Sequence, residues 1–442
     1  MRPLYLLLRF LLPYVMVIFY RKARSVNAQR RFNAQTIFVC NHPSAFIDPL
    51  VAGNYQMPVL YFVTRGDIFK WWLKPITWAS HMVPIFRKAE DGADSHEKNK
   101  DSFRYLRKVL MRKKSLILFG EGYTDNTFIR SLKPIKKGPA RIGFDTMVEC
   151  NWEADIKVQT ISLNYSHPKH FRSNVVVAFG EPIYLKEYKE IYEESPSLAI
   201  TKLTRDVQKS MQEQLTYVDQ KDIEPFVENI SILTRKGMNH FHQNSKIPLL
   251  KRYEYSKALA NKINAEYDEN TDNWNSLKET VKQYFDKLKR AKISENWVNS
   301  YAQTNSKKTL PTVLVFLLCL PLTIVGLVHQ LIPYILIKRF VEGRFKRDVF
   351  WSGVKLLVGA LLSTIYNFAF IFLFYSYIYP NYWLAFAYFL IVPAVTGVFA
   401  YFQIKKLANV FAYRKADTKK IQELVEERKT ILAQIDQMGL DF

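Results

Sequence analysis

His42 and Asp48 sit in the stretch Asn41-His42-Pro43-Ser44-Ala45-Phe46-Ile47-Asp48-Pro49, directly after the apolar run Thr36–Cys40. That run reads as a buried strand, so the pair falls at a strand's carboxyl end, where ligands and chemistry collect in α/β proteins. An imidazole held by a carboxylate can take a proton from an alcohol at neutral pH. The plainer alternative is Asp48 capping a helix and His42 resting in a loop. No other histidine in the chain has such a setting. His167-Pro168-Lys169-His170 and His240-Phe241-His242 lack carboxylates or cysteines at metal-ligand spacing, so no metal is expected there.

The elements around the pair are legible from hydrophobic spacing. Short apolar runs at Thr36–Cys40, Val59–Val63, Met82–Phe86, Leu116–Phe119, Val158–Leu163 and Val175–Phe179 read as strands. Between them lie helical segments such as 97–113, where Phe103, Leu106, Val109 and Leu110 follow helical spacing. The alternation predicts an α/β domain over 25–190, a mixed sheet covered by helices. Residues 191–306 turn polar, lysine-rich and helical in period, around 199–217, 221–235, 249–266 and 274–291, and read as a helical accessory region.

Charge and hydropathy point to a membrane. Lys and Arg number 63 against 40 Asp and Glu, a net charge of +23, which calls for an anionic partner. No nucleic-acid-binding motif is present, so nucleic acid is not expected. Runs at 309–337, 350–378 and 382–403 are long and nearly uncharged, close to or above the roughly 20 residues that span a bilayer. Basic residues flank all three, whereas the turn Tyr379-Pro380-Asn381 carries no charge. Positive loops stay cytoplasmic, so 350–378 and 382–403 read as a transmembrane hairpin. The first run, broken by Pro321 and Pro333, reads as re-entrant or in-plane. The membrane region is thus 307–404. Residues 1–24, apolar with Arg9 inside, read as an interfacial helix, and 405–442 as a C-terminal amphipathic helix. The cysteines Cys40, Cys150 and Cys319 fit no disulfide framework or metal cluster.

Four blocks in order carry a resemblance. Asn41–Pro49 is the first, and Val83-Pro84-Ile85-Phe86-Arg87 the second. The third is Phe119-Gly120-Glu121-Gly122 with Lys137-Gly138-Pro139-Ala140-Arg141-Ile142 behind it, and the fourth is Val158–Leu163 followed by Val177–Pro182. Together they resemble the glycerolipid acyltransferases, the PlsC-like lysophosphatidate and glycerol-3-phosphate acyltransferases, over about residues 36–182.

The resemblance implies His42 as general base and Asp48 as its orienting partner. It implies transfer of a fatty acyl group from acyl-CoA or acyl carrier protein to glycerol 3-phosphate or 1-acylglycerol 3-phosphate, in phospholipid synthesis. No cofactor is implied beyond the acyl thioester. Arg87 would meet the acceptor's phosphate, with Arg65 as a second candidate; Glu121 and Gly122 would line the acceptor site.

Three departures stand out. Five residues rather than four separate the histidine and aspartate, which requires a bulge or tighter turn at the helix start, rigidified by Pro43. Gly120 stands where the family usually has proline. Thr124 stands where an arginine is usual, a loss for which Lys137 and Arg141 would compensate. The implied protein is an integral membrane acyltransferase with its catalytic domain on the cytoplasmic face, among membrane phospholipids. The alternatives are acyl exchange between phospholipids and lysophospholipids (a lysophospholipid acyltransferase or transacylase), a thioesterase, or a non-catalytic lipid-binding scaffold of the same fold.

Overall fold

A computed structural model describes residues 3–440 apart from 29–34, 56–59, 87–91, 93, 126–129, 241, 243, 268–270 and 306–309. The chain divides into two units, Met1–Lys221 and Asp222–Phe442.

In the first unit, helix α1 (Pro3–Phe19) leads to strands β1 (Lys22–Val26) and β2 (Thr36–Cys40), helix α2 (Ile47–Asn54) and strand β3 (Leu60–Arg65). There follow α3 (Lys74–Ala79), β4 (Met82–Ile85), α4 (Ser95–Met111), β5 (Ser115–Phe119), α5 (Gly138–Glu149) and β6 (Lys157–Tyr165). The unit closes with β7 (Asn174–Phe179), β8 (Ile183–Tyr184), α6 (Lys189–Glu194) and α7 (Pro196–Gln214). The result is the mixed α/β sheet expected from the sequence, in the order β1-β7-β6-β2-β5-β3-β4 with β8 beside β6.

Strands β6, β2, β5, β3 and β4 run parallel, while β7 and β8 oppose β6. All five residues of β2 are buried, as a central parallel strand covered on both faces demands. Ile37, Val39, Leu116, Leu118 and Val158 share one core with Leu106 and Leu110 of α4, Ile142 and Phe144 of α5, and Leu203 and Val207 of α7. Helix α7 buries Ala199, Leu203, Val207 and Met211 in that core, so the compact unit runs past residue 190 to Lys221. Edge strand β1 was not expected. Its sequence, Lys-Ala-Arg-Ser-Val, has no apolar run, and its pairing comes from β7.

The connections create the site. The chain leaving β2 passes over β5 to reach β3, whereas the chain leaving β5 passes over β2 to reach β6. At such a switch of direction the loops part, opening a crevice at the strands' carboxyl ends.

The second unit is helical: α8 (Glu224–Thr234), α9 (Leu249–Glu266), α10 (Thr271–Ala291), α11 (Glu295–Thr304), α12 (Leu310–Leu318), α13 (Leu320–Arg344), α14 (Trp351–Tyr377), α15 (Tyr382–Lys415) and α16 (Thr418–Gln437). Helix α16 buries Ile421, Leu424, Val425, Ile431 and Ile435 and packs on α8, α10 and α11. Its Arg428 donates to Glu295 at 2.7 Å, and Arg235 reaches the same carboxylate at 2.8 Å.

Helices α13 and α15, and α14 with the turn before it, are long and apolar enough to cross a membrane. Pro321 stands in the first turn of α13, where its missing N–H costs nothing, so it opens that helix rather than breaking it. The break falls at Cys319, between α12 and α13. Helix α15 runs on past 403 to Lys415. Within this group Gly326 meets the Thr396 carbonyl so closely that a Cβ there would lie 2.1 Å from the oxygen. His329 pairs with Asn367 at 2.6 Å and Tyr388 at 2.7 Å, which satisfies both ring nitrogens in an apolar setting.

Candidate active site

Asp48 enters in the first turn of α2 and is fully buried. Its Oδ2 accepts from the backbone N–H of Ser44 at 2.8 Å and faces His42 Nδ1 at 2.9 Å. Its Oδ1 accepts from the Tyr165 hydroxyl at 2.9 Å. Three donors offset the cost of burying one carboxylate. Burial, and next the charge of Asp48, push the Tyr165 phenol well above its usual range, so it remains a donor. A carboxylate only accepts, which assigns the imidazole proton to Nδ1 and leaves Nε2 with its lone pair.

The extra residue between His42 and Asp48 is absorbed by a turn. Ala45 adopts φ +45°, in the left-handed region, and the N–H groups of Ile47 and Asp48 donate to the carbonyls of Ser44 and Ala45, each at 3.3 Å. The tight turn expected at the helix start is therefore centred on Ala45 rather than on Pro43.

Strand register then brings in the neighbours. Cys40 lies opposite Phe119 of β5 and Ile161 of β6, so two residues further on His42, Glu121 and Leu163 fall level. The His42 N–H donates to Glu121 Oε1 at 2.6 Å. Asn41 clasps Leu163 with its amide, accepting from the backbone N–H at 2.7 Å and donating to the carbonyl at 3.2 Å. The His42 ring stacks on Phe119, centroids 4.3 Å apart, and the side chain is 19% exposed.

Glu121 is buried, and burial raises its carboxyl pKa; the His42 N–H, Lys133 and His42 pull in the opposite direction. Gly122 takes φ +78°, the sharp turn that follows. Gly120 donates its N–H to the Cys40 carbonyl at 2.9 Å, and a Cβ there would lie 2.8 Å from Val39 and 2.9 Å from Ile135. Proline lacks that N–H, which accounts for the glycine at this position.

A cleft open to solvent spans His42, Glu121, Leu163 and Tyr165. Two cations line it, and neither was foreseen. Arg130 is largely buried and donates to Thr216 at 2.5 Å. Lys133 lies 3.1 Å from Asp125 and 3.8 Å from Glu121, with Nζ 4.1 Å from the Tyr123 ring centroid.

The expected cations lie elsewhere. Arg65, at the end of β3, pairs with Asp67 at 2.9 Å. Lys137 is exposed and donates to Thr201 at 3.0 Å, and Arg141 stands exposed on α5. None of the three lines the cleft. Arg87 lies outside the described residues. The segment holding Arg130 and Lys133 reaches the site because the chain folds back after Gly122, with the Lys136 N–H donating to the Gly120 carbonyl at 2.9 Å. The available signal was Arg130 and Lys133, two of the four cations between Gly122 and the following helix, in a stretch that has to return to the same strand end.

The sequence pattern of the family described as "Acyltransferase" matches residues 20–164. Glycerol-3-phosphate O-acyltransferase 2 of Saccharomyces cerevisiae is 31% identical over 114 residues, which cover 26% of this chain and 15% of the yeast protein. The crystal structure of the 1-acyl-sn-glycerophosphate (LPA) acyltransferase PlsC from Thermotoga maritima aligns with 48% of this chain and 84% of its own. That alignment has a TM-score of 0.31 and 15% identity. Residues 20–164, which hold His42, Asp48, Glu121 and Lys133, therefore carry the sequence pattern of the Acyltransferase family, and the chain is similar in part to a glycerolipid acyltransferase.

Proposed function

We propose that the chain is a membrane-bound O-acyltransferase that moves a fatty acyl group from acyl-CoA or acyl carrier protein to a hydroxyl of glycerol 3-phosphate or 1-acylglycerol 3-phosphate. The observation that carries the reading is the His42–Asp48 contact of 2.9 Å at a cleft that also holds Arg130 and Lys133. In this reading Nε2 of His42 takes the proton of the acceptor hydroxyl while that oxygen attacks the thioester carbonyl. Asp48 steadies the imidazolium through Nδ1. Collapse of the tetrahedral adduct breaks the carbon–sulfur bond, and the departing thiolate takes the proton back from Nε2. A positioned general base supplies roughly 10²–10⁴ in rate; the rest comes from holding the two substrates in line.

Arg130 and Lys133 take the place proposed from sequence for Lys137 and Arg141. They suit the acceptor's phosphate: one planar fork and one point charge, in a cleft that also offers the hydroxyl of Thr216. Glu121 serves this group indirectly, by holding Lys133 near and tying the β5 end to the backbone of His42. The catalytic unit is proposed to face the cytoplasm, on the side of the basic loops.

The test is a purified full-length chain given labelled acyl thioester and a panel of acceptors. His42→Ala should cut acylation by roughly 10²–10⁴. Arg130→Ala and Lys133→Ala should raise KM for the phosphorylated acceptor while leaving the KM for thioester unchanged. Full acylation by His42→Ala would remove the enzyme role from this site. Product appearing as free fatty acid irrespective of acceptor would replace acyl transfer with thioester hydrolysis.

A further inference from the structure

The charges around the cleft balance. Among the described residues that line it, Arg130 and Lys133 are the cations and Glu121 and Asp125 the acids. A phosphate monoester arrives with about −1.5 to −2 at neutral pH, and a cleft shaped only to hold it would carry an excess of positive charge. Glu121 already has a task, since it ties the end of β5 to the His42 backbone. Asp125 has none in the dyad.

Lys133 shows what Asp125 does. The lysine side chain is only 9% exposed, so its ammonium needs partners. It donates to the Tyr123 carbonyl at 3.2 Å, and Nζ lies 4.1 Å from the Tyr123 ring centroid. Glu121 Oε2 stands at 3.8 Å, close enough for charge attraction but beyond hydrogen-bond reach. Asp125 Oδ2 stands at 3.1 Å.

These partners differ in depth. The Glu121 side chain is 6% exposed and the Asp125 side chain 31%. Glu121 and Tyr123 hold the ammonium from within the fold. Asp125 is the partner nearest to water, on the side from which a soluble head group has to come.

We infer that Asp125 is an internal counter-ion of the acceptor site, whose carboxylate takes the place on Lys133 that the acceptor's phosphate will take and whose charge sets the preference between singly and doubly charged phosphates. The inference rests on reading the cleft as the acceptor site. An arriving phosphate oxygen replaces Oδ2 on the ammonium, while Tyr123 and Glu121 keep Lys133 in position. The displaced carboxylate turns to water at the mouth of the cleft. There it repels a dianion more than a monoanion, because the energy scales with the product of the charges. Until the acceptor arrives, the same carboxylate spares the fold a buried and unpaired ammonium.

The experiment reads binding with no thioester present, so turnover does not enter. The purified full-length chain is titrated calorimetrically with glycerol 3-phosphate, the head group common to both proposed acceptors, and with its phosphate methyl ester, which keeps a single negative charge. The pH is held well above the monoester's second pKa of about 6. Asp125→Asn should tighten binding of glycerol 3-phosphate by roughly fivefold, the upper size of an ion pair that solvent reaches, and binding of the methyl ester by clearly less. Asp125→Glu keeps the charge and should bind both ligands much as the wild type does. Lys133→Met should weaken both, which assigns the measured heat to this cleft. Weaker or unchanged binding by Asp125→Asn would reduce Asp125 to a prop for Lys133 and overturn the proposal, as would an equal gain for the two ligands; either result leaves the acceptor reading standing. Failure of the wild-type chain to bind either ligand, or binding indifferent to Lys133→Met, would overturn the acceptor reading and the proposal with it.

Discussion

Asp48 has no exposed surface and holds His42, Ser44 and Tyr165 at once, so its charge and its geometry can be tested apart. Asp48→Asn keeps the shape but offers an N–H to the imidazole, which moves the ring proton to Nε2 and removes the base. Acylation should fall by roughly 10³–10⁴, and the double variant with His42→Ala should be no worse than either alone. Tyr165→Phe is milder. It strips one donor from Asp48 at a cost of about 1–2 kcal/mol, concentrates negative charge on the oxygen facing His42, and should shift the acid limb of the pH–rate profile upward. An unmoved limb would reduce Tyr165 to packing.

Glu121 makes a pH prediction with a definite sign. Burial raises its folded pKa, so just above the ordinary carboxylate range the folded state holds a proton that the unfolded state has lost. Stability therefore falls as pH rises through that window. Glu121→Gln should flatten that part of the thermal-midpoint curve; an unchanged slope would assign it to another group.

At the scale of elements, the turn around Ala45 and the close approach at Gly120 hold the dyad on its strand. A non-glycine residue in the left-handed region costs roughly 1–2 kcal/mol, so Ala45→Gly relieves strain and loses only a methyl. Ala45→Val adds a β-branch to the same φ. Activity and thermal midpoint should survive the first and drop in the second. Gly120→Pro should be worse than either: it loses the bond to Cys40 and drives ring atoms into Val39 and Ile135.

Strands β2, β3, β4, β5 and β7 were legible because each holds a short apolar run, and β6 because Val158, Ile161 and Leu163 recur within it. Likewise His42 and Asp48 were legible because residue type, spacing and a preceding strand coincide. Strand β1 was not, since its residues are polar and its place is decided by β7. Arg130 and Lys133 were not, because a loop's return path depends on long-range contacts such as Lys136 with Gly120. Pro321 misled for a related reason: proline breaks a helix interior yet suits a first turn, and the pattern alone does not say which.

At the scale of the whole chain, one ion pair constrains the membrane topology. Glu295 of α11 and Arg428 of α16 are both buried and lie 2.7 Å apart, so the segments before α12 and after α15 share one side of any bilayer between them. The number of crossings from α12 to α15 must then be even. Three helices have the length and composition to cross, but parity leaves room for only two full crossings, unless α12 supplies an entry to match the exit of α13. Helices α14 and α15, joined by the uncharged turn Tyr379-Pro380-Asn381, are the natural pair. Helices α12 and α13, separated at Cys319, would then enter and leave from the same face, with Lys307 and Lys308 before them and Lys346 and Arg347 after them on one side. Cysteines placed one at a time at Gln303, Lys346, Tyr379 and Lys419, in a chain with Cys150 and Cys319 replaced by serine and only the buried Cys40 kept, can be labelled with an impermeant maleimide in sealed vesicles of known orientation. Positions 303, 346 and 419 should react from one side and 379 from the other. Reaction of 303 and 419 from opposite sides would break the parity argument and, with it, the packing of α16 on α11 in the membrane-bound protein; reaction of 379 alongside the others would remove the hairpin.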